Sequence, residues 1–456
     1  MLLINLTSCY ISKNKHNLPE MVNPTPSDQA IEFLNYLGTK SYYPTPKNDE
    51  FKTEEFTSAS RSCKPFMLFF VGRHGARGLS RAEKIRELTD DTKEFLADSK
   101  YSQNYNKLLA SFETDISPYS DALTPFGKQQ VEKIGEDLYK YHPDFSKKVS
   151  LSYTKKNRVQ ETRDAFLNPW KKNTLMSISD LTNLDQEQSD RALRFFEKCE
   201  KYSAQKKELK KEAKRVCAPL LDEINFSDWP LLKEFNSKKV LDKKTLADGM
   251  KNIANICAYQ LALDITLKDE HFCSLIPFKL LSQYSKYEDC LTQIVKGGPG
   301  GLSVLDGLSS NMATAFVENL PEKLETAIEQ HANKSTDAPT AFLMFGHAET
   351  IIPILTNLGI TTDEKNWSGS EVSPMAANFK MIFYDCDSPI PEENLQVYLS
   401  LNQTPVKVSG IEQSKLFYSW EKINALLKSI SLSTKFDEIC FSDDTANKEK
   451  SSSEDD

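Results

Sequence analysis

The sequence predicts an α/β fold: a core sheet flanked by helices, with a long helical domain inserted in it. Three observations carry this. Apolar runs at 65–71 and 341–345 have the length and composition of strands buried on both faces. Each leads into a loop and then a helical pattern, the alternation of α/β proteins. Between them, from about Asp185 to Lys334, strand signals nearly vanish and charge-rich helical periodicity takes over. Hydrophobic residues make up 39% of the 456 positions, enough for a sizeable core, which excludes a collagen-like or wholly disordered chain. At roughly 150 residues per domain the length fits about three domains, or one large body with an insertion.

In chain order, residues 1–60 read as an irregular arm with one short helix near Asp28–Leu37. Residues 61–184 form the first part of the α/β core. Pro65–Val71 is a strand running into Gly72-Arg73-His74-Gly75-Ala76-Arg77. Ser80-Arg81-Ala82-Glu83 has the capping-box pattern and opens a helix to about Asp98. Thr124-Pro125 places an N-cap before a proline tolerated at the first helical position, and His142-Pro143 stops that helix. Val149–Tyr153 alternates as a strand, followed by a helix with Arg158, Thr162 and Phe166 on one face. Residues 185–334 are the helical insertion, broken by the loop Gly297–Gly301. Residues 335–436 resume the core, with strands at Ala341–Phe345, Phe379–Tyr384 and Leu395–Leu401 and a helix over Ser414–Ile430. Residues 437–456 read as an acidic, disordered tail, most clearly from Ser442.

The formal net charge of −8 argues against a general nucleic-acid binder, so a polyanion must meet a local positive pocket. No run of 18 apolar residues exists, so no membrane-spanning helix is expected. Met1–Tyr10 makes a poor signal peptide, with a short apolar stretch and no basic residue before it. Nine cysteines, an odd number, exclude a fully paired disulfide framework. Sequons stand at Asn5, Asn225, Asn333, Asn366 and Asn402, a pattern that also arises by chance.

Three strand ends carry candidate chemistry. In open α/β sheets, ligands bind outside the carboxyl ends of strands. At the first, Arg73 and Arg77 offer fork-shaped donors to phosphate oxygens and disfavour protonation of His74, as a nucleophilic imidazole requires. A basic surface turn would read the same way. At the second, Phe342–Phe345 leads into Gly346-His347-Ala348-Glu349. Pro353 is tolerated only in a first turn, so a helix should begin near Glu349, with His347 and Glu349 flanking an N-terminus suited to anions. Ordinary capping is the alternative. At the third, Arg158 stands just past Tyr153, where a solvated helix start is the alternative. Taken together, Arg73, Arg77, Arg158 and His347 are donors to a phosphate, His74 is a nucleophile and Glu349 a proton source.

These residues resemble the histidine acid phosphatase superfamily, with R-H-G-x-R early and a His followed by an acid late. Within it, His347-Ala348-Glu349-Thr350 is similar to the multiple inositol polyphosphate phosphatase branch, which has His-Ala-Glu where most relatives have His-Asp. Leu123–Gly127, Arg191–Cys199, Ala376–Asn378 and the spacing of Cys257 and Cys273 match as well, over roughly residues 60–430. The resemblance implies a phosphoglycerate-mutase-like core with an inserted helical domain roofing the site. It implies two-step hydrolysis of phosphomonoesters: His74 becomes a phosphohistidine, Arg73, Arg77, Arg158 and His347 hold the phosphoryl oxygens, and Glu349 protonates the leaving alcohol. No cofactor or metal is implied, since guanidiniums supply the positive charge. The implied substrates are inositol hexakisphosphate and lower phosphates, extending to 2,3-bisphosphoglycerate, and the implied address is secretory or lumenal. The alternatives are a broad-specificity acid phosphatase and an inactive phospho-ligand-binding relative. Relatives usually place proline soon after the second arginine; here Gly78-Leu79-Ser80 follows.

Two further features lie in the insertion. The lysine-rich stretch Lys198–Arg215 reads as a solvated helix face, with attraction of a charged substrate as the other reading. Cys257 and Cys273 are disulfide partners if the chain enters an oxidising compartment and buried free thiols otherwise; Cys199 and Cys217 are another possible pair.

Overall fold

The computed structural model describes residues 33–441, except 34, 44–49, 54–55, 58–59, 61, 80, 100–101, 174–180, 184, 236–240, 264–272, 274–275, 361–365, 388–393, 415 and 434. Most of the predicted Asp28–Leu37 helix, the Ser80 cap, Asn5 and the Ser442–Asp456 stretch lie outside the described residues.

The strands are β1 (Cys63–Arg73), β2 (Val149–Tyr153), β3 (Leu181–Asn183), β4 (Ala341–Gly346), β5 (Asn378–Cys386), β6 (Leu395–Leu401), β7 (Thr404–Pro405) and β8 (Phe417–Ser419). They form one sheet in the order β3-β2-β4-β1-β5-β6-β7, with β8 also paired to β6. β3, β2, β4 and β1 run parallel, whereas β5 and β6 are antiparallel. Register decides where the site forms. Arg73 pairs with Gly346, and Tyr153 with Phe345, so the loops leaving β1, β4 and β2 start side by side.

Side chains of β1 alternate between two cores, as the period of a strand requires. Leu68 and Phe70 pack with Leu343, Phe345 and Ile382 under helices α3 (Pro125–Tyr141) and α4 (Asn157–Asn173). Met67, Phe69 and Val71 join a second cluster that continues into the helices after β3. These include α5 (Gln186–Leu193), α6 (Glu200–Asp222), α7 (Lys243–Leu263), α8 (Phe278–Lys296) and α9 (Leu320–Ala332). α10 (Ala348–Asn357) follows β4, and α11 (Trp420–Ser433) and α12 (Phe436–Cys440) end the described chain. No helix among the described residues is long and apolar enough to cross a membrane.

Several expectations need correction. The helix expected from Ser80 to about Asp98 is α1 (Ala82–Leu96), and a further helix, α2 (Ser102–Ile116), follows it. The helix expected over Ser414–Ile430 begins only at Trp420. Phe417 and Tyr418 form a strand instead, because pairing with β6 buries both rings, and the Tyr418 hydroxyl donates to the Val406 carbonyl at 3.2 Å. Pro353 lies in the second turn of α10, not the first, so the Glu349 carbonyl lacks its usual i+4 N–H donor. Residues 437–440, assigned to the acidic tail, belong to α12. Within the 1–60 arm, Tyr42 is buried and its hydroxyl donates to the Ala258 carbonyl.

Four disulfides join Cys63–Cys386, Cys199–Cys440, Cys217–Cys290 and Cys257–Cys273. Cys257–Cys273 is the expected bridge; Cys199–Cys217 is not formed. The two residues are separated by most of α6, about 27 Å at the helical rise, far beyond a disulfide's reach. Four disulfides are compatible with an oxidising compartment. The lysines of α6 face solvent around one buried stripe of Tyr202, Leu209, Ala213 and Cys217, as a solvated face should. Asn225, Asn333 and Asn366 are exposed. Asn402 is buried, with its amide donating to the Glu371 carbonyl at 2.6 Å and accepting from the Asn378 N–H at 2.9 Å.

Candidate active site

The loop after β1 is held from all sides. The His74 N–H donates to the Gly346 carbonyl at 3.1 Å, and the His74 carbonyl accepts from Ala376 N–H at 2.9 Å. The next N–H, of Gly75, donates to Thr162 Oγ1 at 3.1 Å; that hydroxyl donates in turn to the Arg158 carbonyl at 2.7 Å, locking the loop to α4. Thr124 caps α3 by accepting from Gly127 N–H at 3.1 Å, while its own N–H donates to the Ala76 carbonyl at 3.0 Å. A Cβ on Gly127 would stand 2.0 Å from that carbonyl oxygen, so the helix can approach the loop only through glycine. This gives the Leu123–Gly127 motif its physical role. Behind Arg77, the Asp121 N–H donates to the Leu79 carbonyl at 3.0 Å, and Arg77 bridges to Leu123.

His74 is buried, and its Nδ1 lies 3.0 Å from the Gly75 carbonyl. A carbonyl only accepts, so Nδ1 carries the proton and Nε2 keeps its lone pair. Burial, then the guanidiniums of Arg77, Arg73 and Arg158 and the ring of His347, hold His74 well below the ordinary histidine value. The imidazole is therefore neutral at neutral pH, the form in which an imidazole can act as a nucleophile.

Arg73 donates from Nη1 to the Ser373 carbonyl at 2.6 Å and to the Thr39 carbonyl, so the arm near residue 39 helps aim it. Burial lowers its guanidinium to about 9, with Glu349 opposing and Arg77 and Arg158 adding to the shift; it stays charged at neutral pH. Arg77 donates to the Gly78 carbonyl at 2.6 Å. Arg158 is ion-paired to Asp121. The Nε atoms of Arg73, Arg77 and Arg158 are all buried without a hydrogen-bond partner among the described residues. Three unsatisfied cationic donors around one neutral imidazole are costly unless an anion completes them.

His347 is the N-cap of α10 and lies with its ring centroid 5.7 Å from that of His74. Arg158 Nη2 is 3.4 Å from Nδ1; a guanidinium only donates, so the ring proton sits on Nε2, facing Thr154 Oγ1 at 3.1 Å. Burial, then Arg158, keep this ring well below its ordinary value. Glu349, in the first turn of α10, forms an ion pair of 3.2 Å with Lys296, the last residue of α8. Burial works to raise the Glu349 carboxyl, but Lys296, His347 and Arg73 more than offset it, leaving the group well below the usual carboxylate range.

The six residues singled out in the sequence thus come together. The sequence reading missed Lys296, Thr154, Thr162, Asp121, Ser373 and Thr39. Thr162 shares a helix face with Arg158 in the sequence pattern, the one signal that points its way. Thr39 and Ser373 act through backbone carbonyls, which no residue type announces.

A neutral imidazole ringed by guanidinium donors at the carboxyl ends of parallel strands defines a phosphate-handling α/β protein. The chain belongs to the histidine phosphatase superfamily (branch 2), whose family model matches residues 67–402. It is similar to multiple inositol polyphosphate phosphatase 1 of Gallus gallus, at 24% identity over 436 residues, covering 89% of this chain and 92% of that one. Its fold is similar to the Bifidobacterium longum multiple inositol polyphosphate phosphatase, solved in complex with inositol hexasulfate. That match has a TM-score of 0.61 at 15% identity, over 88% of this chain and 98% of that one. The phytase from D. castellii superposes with a TM-score of 0.63 at 13% identity, over 94% and 92% of the two chains.

Proposed function

We propose that this protein hydrolyses the phosphomonoesters of inositol polyphosphates through a phosphohistidine. The observation that carries the reading is the set of three buried, unpartnered guanidinium Nε–H donors around the neutral His74. His74 Nε2 attacks phosphorus, and the N–P bond forms as the ester P–O bond breaks. Arg73, Arg77 and Arg158 take the equatorial oxygens, where negative charge concentrates in the transition state. His347 joins them once its proton moves to Nδ1 and the Thr154 hydroxyl donates to Nε2. Glu349 gives its proton to the leaving alcohol, then takes one from the water that cleaves the N–P bond. Histidine and acid are restored and inorganic phosphate leaves.

The relatives' names support inositol polyphosphates as the substrate class, as does the cationic surplus of the site. Residues 185–334 act as a cap over the strand ends, supported by the reach of Lys296 to Glu349. The four disulfides support a secretory or lumenal address.

The test is phosphate release from phytate across acidic to neutral pH, with acid-quench trapping of radiolabelled phosphoenzyme. Wild type should release phosphate and trap label on histidine; His74→Ala should do neither. Glu349→Gln should lose far more activity on phytate than on p-nitrophenyl phosphate, whose leaving group needs no proton. Turnover persisting in H74A would overturn the nucleophile, and equal losses in E349Q would overturn the proton donor.

A further inference from the structure

The proposed proton donor and its neighbour pose a conflict. Glu349 is paired to Lys296 at 3.2 Å, and a carboxylate already stripped of its proton cannot protonate an alkoxide. The pair is not a surface accident. Lys296 ends α8, and the next residue, Gly297, caps that helix in the left-handed conformation with φ 81°. A Cβ on Gly297 would lie 2.1 Å from the Ser309 carbonyl oxygen and 2.8 Å from Pro353 Cβ, so the end of α8 is wedged against α10. That contact fixes the root of the lysine opposite the first turn that carries Glu349. The two side chains are 24% and 32% exposed, so the pair is not sealed from solvent. The groups facing Glu349 are Lys296 from α8, Arg73 from the β1 loop, Arg158 from α4, His347 on its own turn and Tyr202 from α6. Those facing Lys296 are Glu349, Arg73, Arg77 and Lys40. The groups facing Lys296 among the described residues are thus mostly cationic, so an arriving anion competes with Glu349 for it.

We propose that Lys296 is a positioning residue that arms the reaction: on binding, it leaves Glu349 for a substrate phosphate next to the scissile one, and the released carboxylate takes up the proton destined for the leaving oxygen. This rests on the reading of the site as an inositol polyphosphate phosphatase and names how that site demands a second phosphate. The proton balance closes. Glu349 takes one proton from solvent, gives it to the alkoxide as the P–O bond breaks, and recovers one from the water that splits the phosphohistidine. A scissile phosphoryl bound to Arg73 and Arg158 further reduces the positive field at Glu349. A substrate with a single phosphate leaves the Lys296–Glu349 pair intact, so its donor stays disarmed. A monoester of a poor leaving group should therefore turn over slowly even when it fits.

The test compares phytate with glycerol 2-phosphate, whose alkoxide also needs a proton, in wild type, Lys296→Met and Lys296→Arg. Labelled phosphoenzyme in wild type, absent from H74A, is checked first; its failure overturns the functional reading and this inference with it. Given that label, K296M should lose about tenfold or more in kcat/KM on phytate, the loss expected for a charge-assisted hydrogen bond. On glycerol 2-phosphate, where no second phosphate draws the lysine away, it should be faster, with the basic limb of its pH profile moved up by about one unit or more. K296R should keep the phytate preference. In wild type alone, which removes any dependence on the variants folding, the basic limb should lie at higher pH for phytate than for glycerol 2-phosphate. Equal losses on both substrates, or basic limbs that coincide in wild type, would overturn the arming role.

Discussion

Replacing Thr162 by valine tests how the His74 loop is held. Thr162 is 1% exposed, and its hydroxyl is the acceptor for the buried Gly75 N–H at 3.1 Å. Valine fills nearly the same volume, so packing is preserved and the two hydrogen bonds of the hydroxyl are removed. The N–H is then a buried donor without a partner, at a cost of about 1–3 kcal/mol. Gly75 adjoins His74, and Thr162 also donates to the Arg158 carbonyl at 2.7 Å, so the loss falls on the spacing between the His74 imidazole and the Arg158 guanidinium. If the whole cost appears at the transition state, kcat/KM should fall about 5- to 150-fold. Thr162→Ser retains the hydroxyl and should stay within a few-fold of wild type. The assay is phosphate release from phytate, with thermal unfolding recorded for both variants. A valine variant as active as wild type, or a serine variant as damaged as the valine one, would refute the claim that this bond sets the loop.

Two other perturbations probe the frame. Burial, reinforced by Glu288 and Glu371 against the Gly369 N–H, pushes the Asp289 carboxyl up from 3.8 to about 7. Both folded and unfolded forms are protonated below about pH 4. As pH rises from there to about 7, the unfolded chain releases its proton first and stability is lost, by up to about 4 kcal/mol. Asp289→Asn can still accept from Gly369, so it should raise the melting temperature at pH 8 and leave it nearly unchanged at pH 4; an equal gain at both would exclude titration as the cause. Gly127→Ala forces a methyl to within 2.0 Å of the Ala76 carbonyl oxygen, so the loop must move. Overpacking of this kind costs about 1–3 kcal/mol, and a displacement near 1 Å costs about 100-fold in rate. Unaltered turnover would show that the loop does not depend on this contact.

Much of the site is legible in the sequence because its parts are continuous. Residues 65–77 hold an apolar strand, a loop and two arginines around a histidine, and 341–349 repeat the strand-to-loop pattern with His347 and Glu349. Such segments report their own local structure, and the sheet register then brings Arg73 beside Gly346. Legibility failed where a local pattern had two solutions. Phe417-Tyr418 is as compatible with a helix as with a strand, and only pairing with β6 decides between them. The cysteines failed for another reason: Cys199 and Cys440 are 241 residues apart, and no spacing rule links them.

By itself, the sequence determined the α/β class, the three strand-end motifs and the residue types able to meet a phosphate, because side-chain periodicity and chemistry are properties of contiguous residues. Only the tertiary structure decided that Lys296 holds Glu349, that Thr162 anchors the His74 loop, and that backbone carbonyls of Thr39 and Ser373 aim Arg73. These partners lie between 34 and 300 residues from the groups they hold. Such contacts are set by packing, since a hydrogen bond depends on atoms meeting within about 3 Å and not on their separation along the chain.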